Sequence, residues 1–175
     1  MTNKVKNQVL KYLYNQKLFG IKYHSDLNIN FYSSCDFALP NSLEELKKSV
    51  TNCYLCDLSK TRKHTLFGYG SQNSKIMFTC DEPSKSEDDL GSFFVGNSGD
   101  MLAKMIEGSL KIKKEEVYTT NLVKCRGTKE ATFQNFESCN CYLLKQIEVI
   151  KPKIIVAVGE RVHDYLLKSS GEFLK

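Results

Sequence analysis

Four cysteines have the residue type and placement to share one ligand. Cys53 and Cys56 form a CxxC pair, and Cys125 and Cys139 follow much further along. A tight turn brings both sulfurs of a CxxC pair to one side, and four thiolates can hold either a structural zinc ion or an iron–sulfur cluster. Spacing alone does not choose between them. Widely separated third and fourth ligands favour a cluster stitched across a folded domain over a zinc ribbon, which usually repeats its CxxC. Cys141 competes with Cys139 as fourth ligand. A redox role for the CxxC pair would need it to open a helix after a strand, and no strand pattern precedes it. Cys35 and Cys80 read as small buried hydrophobes.

A second set of chemically capable residues lies in Cys80 to Asp100, CDEPSKSEDDLGSFFVGNSGD, which reads as a long acidic loop. It holds one proline, three glycines, six carboxylates and adjacent phenylalanines. Asp81 offers a carboxylate, Phe94 a stacking ring, and Gly96 a place where backbone can approach a ligand closely. Such loops, leaving the carboxyl end of a strand and entering a helix, are where open α/β proteins bind ligands.

The elements that must position these residues can be read from periodicity. Residues 4–19 carry apolar residues at helical spacing and stop at Gly20; residues 20–41 read as a connector. Leu43, Leu46 and Val50 share one face of a second helix, with Glu44 and Glu45 in its first turn. Gly68, Gly70 and Ser71 read as a turn. Strands are expected at Lys75–Thr79, at Glu116–Val123 with Asn121 near its carboxyl end, and at Lys153–Val158. Helices are expected from Met101 to about Leu110, over Phe133–Ile150, and over Glu160–Leu167. Strands alternating with helices predict a parallel sheet covered on both faces. The expected division is an N-terminal helical extension over 1–41 and a main domain over 42–175.

Composition sets broader limits. The 175 residues suffice for one domain with its own core, and no apolar run is long enough to span a bilayer. The first twenty residues lack the continuous apolar centre of a signal peptide. Seven cysteines, an odd number, without such a signal point away from a disulfide framework and towards the cytoplasm. A net charge of +5 permits nucleic-acid binding without requiring it.

From about Leu43 to Leu167 the sequence resembles the family 4, iron–sulfur uracil-DNA glycosylases. The pieces that carry the resemblance lie in one order: CxxCxLSxTR at 53–62, FG at 67–68, SKIMF at 74–78 and EPSxxEDxxGxFFVGxxGxML at 82–102. VYTTNLVKCR at 117–126, CxxYLLKQI at 139–147 and PKIIVAVG at 152–159 complete them. The resemblance implies a three-layer α/β/α sandwich with a central parallel sheet, a [4Fe–4S] cluster on Cys53, Cys56, Cys125 and Cys139, and excision of uracil from DNA in base excision repair. It implies Asp81 as the reacting carboxylate and Asn121 as reader of the uracil edge. It further places Phe94, Gly96, Pro83 and Ser84 against the substrate. The implied partner is uracil-containing DNA, bound by a cytoplasmic monomer without membrane association. Lys60, Arg62, Lys124 and Arg126, around the cysteines, are candidate phosphate contacts.

The sequence also departs from the family pattern. Cys80 and Ser84 stand where the first motif carries glycines, and Asp81 is one methylene shorter than the motif glutamate. The Arg126-Gly127 junction lacks the usual prolines. No His-Pro-Ser segment follows the last predicted strand, and His163, inside a predicted helix, does not replace it. The expectation is therefore a sheet short of its last strand and a site short of a histidine. The alternative to an active enzyme is a catalytically weak or inactive iron–sulfur DNA-binding relative.

Overall fold

The computed structural model describes residues 39–167. The expected helix over 4–19 and most of the 1–41 extension lie outside the described residues, as do residues 168–175.

Helix α1 (Leu43–Thr51) buries Leu43, Leu46 and Val50 and carries Glu44 and Glu45 in its first turn, as the pattern predicts. A 3₁₀ turn at Asp57–Lys60 follows the CxxC pair. The sheet has four strands: β1 (Tyr69–Gly70), β2 (Ile76–Cys80), β3 (Tyr118–Asn121) and β4 (Ile154–Ala157). Their spatial order is β1-β3-β2-β4. Strand β2 pairs in parallel with both β3 and β4, so the three expected strands form the parallel centre. The sheet as a whole is mixed, because a short antiparallel edge strand joins the expected parallel centre. Tyr69 and Gly70 pair antiparallel with Thr119 and Tyr118. One tyrosine between Gly68 and Gly70 carries no period-two pattern, so the stretch reads as a turn; pairing against β3 made Tyr69 and Gly70 a strand.

Helices cover both faces, and the alternation along the strands sorts the core accordingly. Met77 of β2 and Ile155 and Ala157 of β4 pack into the larger cluster with α1, α4 (Phe133–Ile150) and α5 (Glu160–Leu167). Ile76, Phe78 and Val156 point into the second cluster with Ile106 and Leu102. There α3 (Gly96–Lys104) continues into a π turn at Met105–Ser109. This is the three-layer α/β/α arrangement.

Helix α4 supports both candidate sites, because it carries Cys139 and Gln146. Its start is fixed by a capping box: Thr132 Oγ1 accepts from the Asn135 amide, and Asn135 Oδ1 accepts from the Thr132 amide. The Asn135 side chain also donates to Asp57 Oδ1 at 2.7 Å, tying the helix start to the 3₁₀ turn beside Cys56. Lys151 in the left-handed region, followed by Pro152, ends the helix. Thr132→Ala should cost about 1 kcal/mol, read as a lower urea midpoint at unchanged slope.

Candidate active site

The site is built where two parallel strands end side by side. Cys80, the last residue of β2, is in register with Asn121, the last residue of β3. Pairing persists past both ends: the Leu122 amide donates to the Cys80 carbonyl at 2.8 Å, and the Val123 amide to that of Asp81 at 3.3 Å. Asp81 and Asn121 are thereby held next to each other at the carboxyl edge of the sheet. Asn121 is buried at 2 % exposure, yet its Nδ2 has no hydrogen-bond partner among the described residues. Asp81 is partly buried, and its Oδ1 likewise has none. Buried polar atoms are nearly always paired, so two orphans at one strand edge mark a place prepared for a ligand.

The other buried and half-buried carboxylates of the loop, Glu82, Glu87 and Asp88, are already engaged. Glu82 Oε1 accepts from Arg126 Nη1 at 2.9 Å, and its Oε2 accepts from the Ala131 amide at 2.6 Å. Arg126 also donates to the Pro83 carbonyl at 2.8 Å, and Pro83 itself is buried. Asp88 accepts from the amides of Lys63 and His64. Asp81 is thus the loop carboxylate with a ligand-ready oxygen. Burial raises its pKa above the usual carboxylate value, and Glu82 and Glu130 add to this, while Arg161 opposes them.

The segment expected as one continuous loop contains a short helix, α2 (Lys85–Leu90). Ser84 caps it: its hydroxyl accepts from the Glu87 amide, and its own amide donates to Glu87 Oε2 at 2.9 Å. Ser-x-x-Glu is a capping-box signature, so this helix was readable from the sequence. The Ser84 side chain therefore serves the loop's own structure. Glu87 reaches further, since its Oε1 accepts from the Phe94 amide at 3.3 Å. Phe94 sits at φ +60°, an uncommon conformation for a residue with a side chain. Its partly buried ring meets Tyr69 edge-on at 5.4 Å. A Cβ on Gly99 would lie 2.7 Å from the Phe94 backbone, which explains glycine there. Gly96, at φ +73°, packs against Ser86.

The four expected cysteines come together. Cys53 and Cys56, on the loop after α1, line one largely apolar cavity with Cys125 beyond β3 and Cys139 of α4. Cys141 lies outside that lining, its Sγ directed to the Ser138 carbonyl. Arg62 Nη1 donates to Cys125 Sγ at 3.1 Å. Burial raises the Cys56 and Cys125 thiols above their ordinary pKa and Cys139 to about 12. Among the described residues, no three His, Cys, Asp or Glu side chains converge closely enough to hold a single metal ion.

Three of the four candidate phosphate contacts are occupied elsewhere. Lys124 is fully buried, Arg126 holds Glu82, and Arg62 bridges Cys125 and the Thr51 carbonyl; Lys60 alone is exposed. Lys124 Nζ donates to Thr120 Oγ1, the Asn121 carbonyl and Gln146 Oε1, each at 2.7 Å. Burial lowers its pKa to about 8, against the raising influence of Cys139 and Cys125, while three acceptors around Nζ match the three hydrogens of an ammonium.

A family model described as "Uracil DNA glycosylase superfamily" matches residues 67–174. The chain belongs to the uracil DNA glycosylase superfamily. It is similar to the type-4 uracil-DNA glycosylase of Sulfurisphaera tokodaii, 36% identical over 75% of this chain and 61% of the relative. That of Archaeoglobus fulgidus is 36% identical over 67% of this chain and 60% of its own length. For Thermotoga maritima the values are 35%, 67% and 62%. The chain thus spans about three-fifths of the length of the curated relatives it matches. The superfamily match covers β2, β3 and β4, including Asp81, Phe94 and Asn121, whereas Cys53 and Cys56 precede it.

Sequence reasoning missed Arg161, which reaches from the first turn of α5 to lie 3.0 Å from Asp81 Oδ2. It also missed the internal role of Lys124. Lys124→Met should destabilise the fold by about 3 kcal/mol, because it leaves three buried oxygens without their charged donor; equilibrium denaturation measures this.

Proposed function

We propose that this chain removes uracil from DNA in base excision repair, hydrolysing the N-glycosidic bond after the nucleotide is turned out of the helix. The observation that carries the reading is the pair of unpartnered buried atoms, Asp81 Oδ1 and Asn121 Nδ2, at the ends of two adjacent parallel strands. A base must leave the stack before chemistry can reach it, and a pocket then reads its pairing edge. An amide suits the uracil edge: Nδ2 donates to O4, while Oδ1 accepts from N3–H. Cytosine presents the reverse pattern. The Phe94 ring supplies a stacking face, worth about 1–3 kcal/mol per base. Gly96 follows that ring at the start of α3, while Pro83 and Ser84 lead into α2, whose Glu87 holds the Phe94 amide.

Bond cleavage builds positive charge on the sugar and negative charge on the departing base. An ionised Asp81 stabilises the first and orients the attacking water, as carboxylates do in glycoside hydrolysis. The superfamily relationship and the type-4 relatives support this assignment.

We infer that Cys53, Cys56, Cys125 and Cys139 hold a [4Fe–4S] cluster. The donor set fits: four thiols line one cavity, and Arg62 and Lys124 stand beside the sulfurs to offset thiolate charge. When bound, the cluster acts as a covalent clip joining the α1 loop, the β3 exit and α4. The described cysteines are unpaired, which supports a cytoplasmic protein. Among the described residues no helix is long and apolar enough to cross a membrane. We take the working unit on uracil-containing DNA to be a monomer.

One observation favours the second reading, an iron–sulfur DNA-binding relative with little or no base release. Asp81 carries a shorter side chain than glutamate, and Arg161 already engages one of its oxygens. A displacement of about an ångström can cost roughly 100-fold in rate. Uracil release from single- and double-stranded oligonucleotides by anaerobically purified protein separates the two. The expected result is release by the wild type and a loss of about 100-fold or more in Asp81→Asn and Asn121→Ala, with DNA binding retained. Absence of release from cluster-loaded wild type would leave the binding relative as the better reading.

The ligand assignment has its own test in iron content and the brown absorbance of purified variants. Cys139→Ala should lose both, while Cys141→Ala keeps them. The reverse result would move the fourth ligand to Cys141.

A further inference from the structure

Arg161 occupies a position that needs an explanation. As the second residue of α5 it sits at the positive end of a helix dipole, where a cation is disfavoured unless an anion compensates. Three partners hold its guanidinium: Nη1 lies 3.0 Å from Asp81 Oδ2, Nη2 donates to the Ala131 carbonyl, and the group stacks 4.9 Å over the Phe136 ring. Phe136 and Ala131 are themselves buried, so the guanidinium rests on a rigid wall formed by α4 and the segment before it. Its reach to Asp81 joins the last described helix to the end of β2.

We propose that Arg161 is a positioning residue for Asp81: it grips the carboxylate through Oδ2 and leaves Oδ1 as the oxygen available to the reaction. This rests on the reading of Asp81 as the reacting carboxylate of a uracil-DNA glycosylase. The charged groups that face Asp81 are Arg161 from α5, Glu82 beside it on the loop, and Glu130 ahead of α4. Both glutamates and burial favour the protonated acid, and Arg161 is the group that opposes them. Glu82 is itself tied to Arg126 and the Ala131 amide, so it cannot swing round to share the grip.

Removing the guanidinium should let every remaining influence push Asp81 towards its neutral form. A carboxylate that must be ionised loses function as pH falls through its pKa. Without Arg161 that loss begins at higher pH. An adjacent opposite charge typically lowers a carboxylate midpoint by about 1–3 units, so a rise of about one unit or more is expected on its loss. A lysine at the same position keeps the charge but not the planar fork that serves Asp81 and Ala131 together.

The experiment uses the full chain with its cluster, labelled with carbon-13 at the aspartate carboxyl groups. Asp81→Asn assigns the Asp81 resonance, whose titration is followed in wild type, Arg161→Met, Arg161→Gln and Arg161→Lys. Methionine preserves packing on Phe136 and glutamine preserves a donor to Ala131, so one variant can fail to fold without voiding the test. The expected result is a midpoint raised by about one unit or more in the neutral variants and largely restored in Arg161→Lys. An unchanged midpoint in a folded neutral variant overturns the proposal. Single-turnover uracil release across pH supplies the second readout. Its acid limb should move upward by the same amount in Arg161→Met, with a larger rate deficit at pH 6 than at pH 8. An acid limb that stays in place while the rate falls uniformly would make Arg161 a merely structural residue and overturn the proposal. A wild type that frees no uracil at any pH would sink the glycosylase reading, and the carbon-13 titration would still decide the Arg161–Asp81 coupling.

Discussion

A single buried ammonium ties the two candidate sites together. Lys124 lies between Asn121 and Cys125 in sequence, and its Nζ is surrounded by three oxygens in the interior. A charge taken out of water is costly unless hydrogen bonds replace its hydration. Here they come from Thr120, Asn121 and Gln146, and the last two belong to different layers. Gln146 then passes the constraint on, donating to the Phe67 carbonyl at 2.8 Å and Tyr118 Oη at 2.9 Å. The Lys124 carbonyl accepts from the Leu66 amide at 2.8 Å. The β3 exit, α4 and the segment ahead of β1 therefore meet in one polar knot. Because Lys124 bonds the Asn121 main chain and not its side chain, it fixes where Asn121 stands while leaving its amide available.

The acidic loop divides its carboxylates by duty. Glu82 and Asp88 are consumed by amides and by Arg126, and Glu87 closes a capping box while restraining Phe94. Glu82 and Asp88 tie distant segments to the loop and Glu87 braces it internally, so a stretch that reads as polar surface is held at several points. Asp81 stands apart because the groups around it supply one partner, Arg161, for two oxygens. The left-handed backbone at Phe94 belongs to the same economy. Glu87 from one side and the missing side chain of Gly99 from the other allow a conformation that costs about 1–3 kcal/mol elsewhere.

The parts of this protein that could be read from sequence are those with local signatures. Apolar runs placed β2, β3 and β4, helical spacing placed α1, α4 and α5, and residue order brought Asp81 and Asn121 to neighbouring strand ends. What could not be read came from long-range pairing. Tyr69 and Gly70 form a strand because β3 offers an edge, which nothing in two residues announces. Lys124 and Arg126 look like surface cations until Gln146 and Glu82 arrive from far along the chain. Arg161 left one trace, a cation in the first turn of a helix, but its anion is reached only when α5 folds against β2. Helix α2 is different: Ser84 and Glu87 spelled its capping box, and the run of acidic residues around it masked the signal.

The chain has only three arginines, Arg62, Arg126 and Arg161, and all three are committed internally. Each makes use of the planar fork. Arg62 spans a thiol and a carbonyl while lying over Tyr54, Arg126 spans Glu82 and Pro83, and Arg161 spans Asp81 and Ala131 while lying on Phe136. Lysine supplies the charge at such positions without the geometry, because an ammonium is a point charge on a flexible stem. Apart from these committed arginines, exposed positive charge among the described residues is lysine, Lys60 and Lys85 among them. On the proposed function these are the groups left to meet phosphates, and point charges attract a backbone without fixing its register. Positional precision must then come from the interior, where the arginines hold Asp81 and the loop fixed, and not from the grip on the strand.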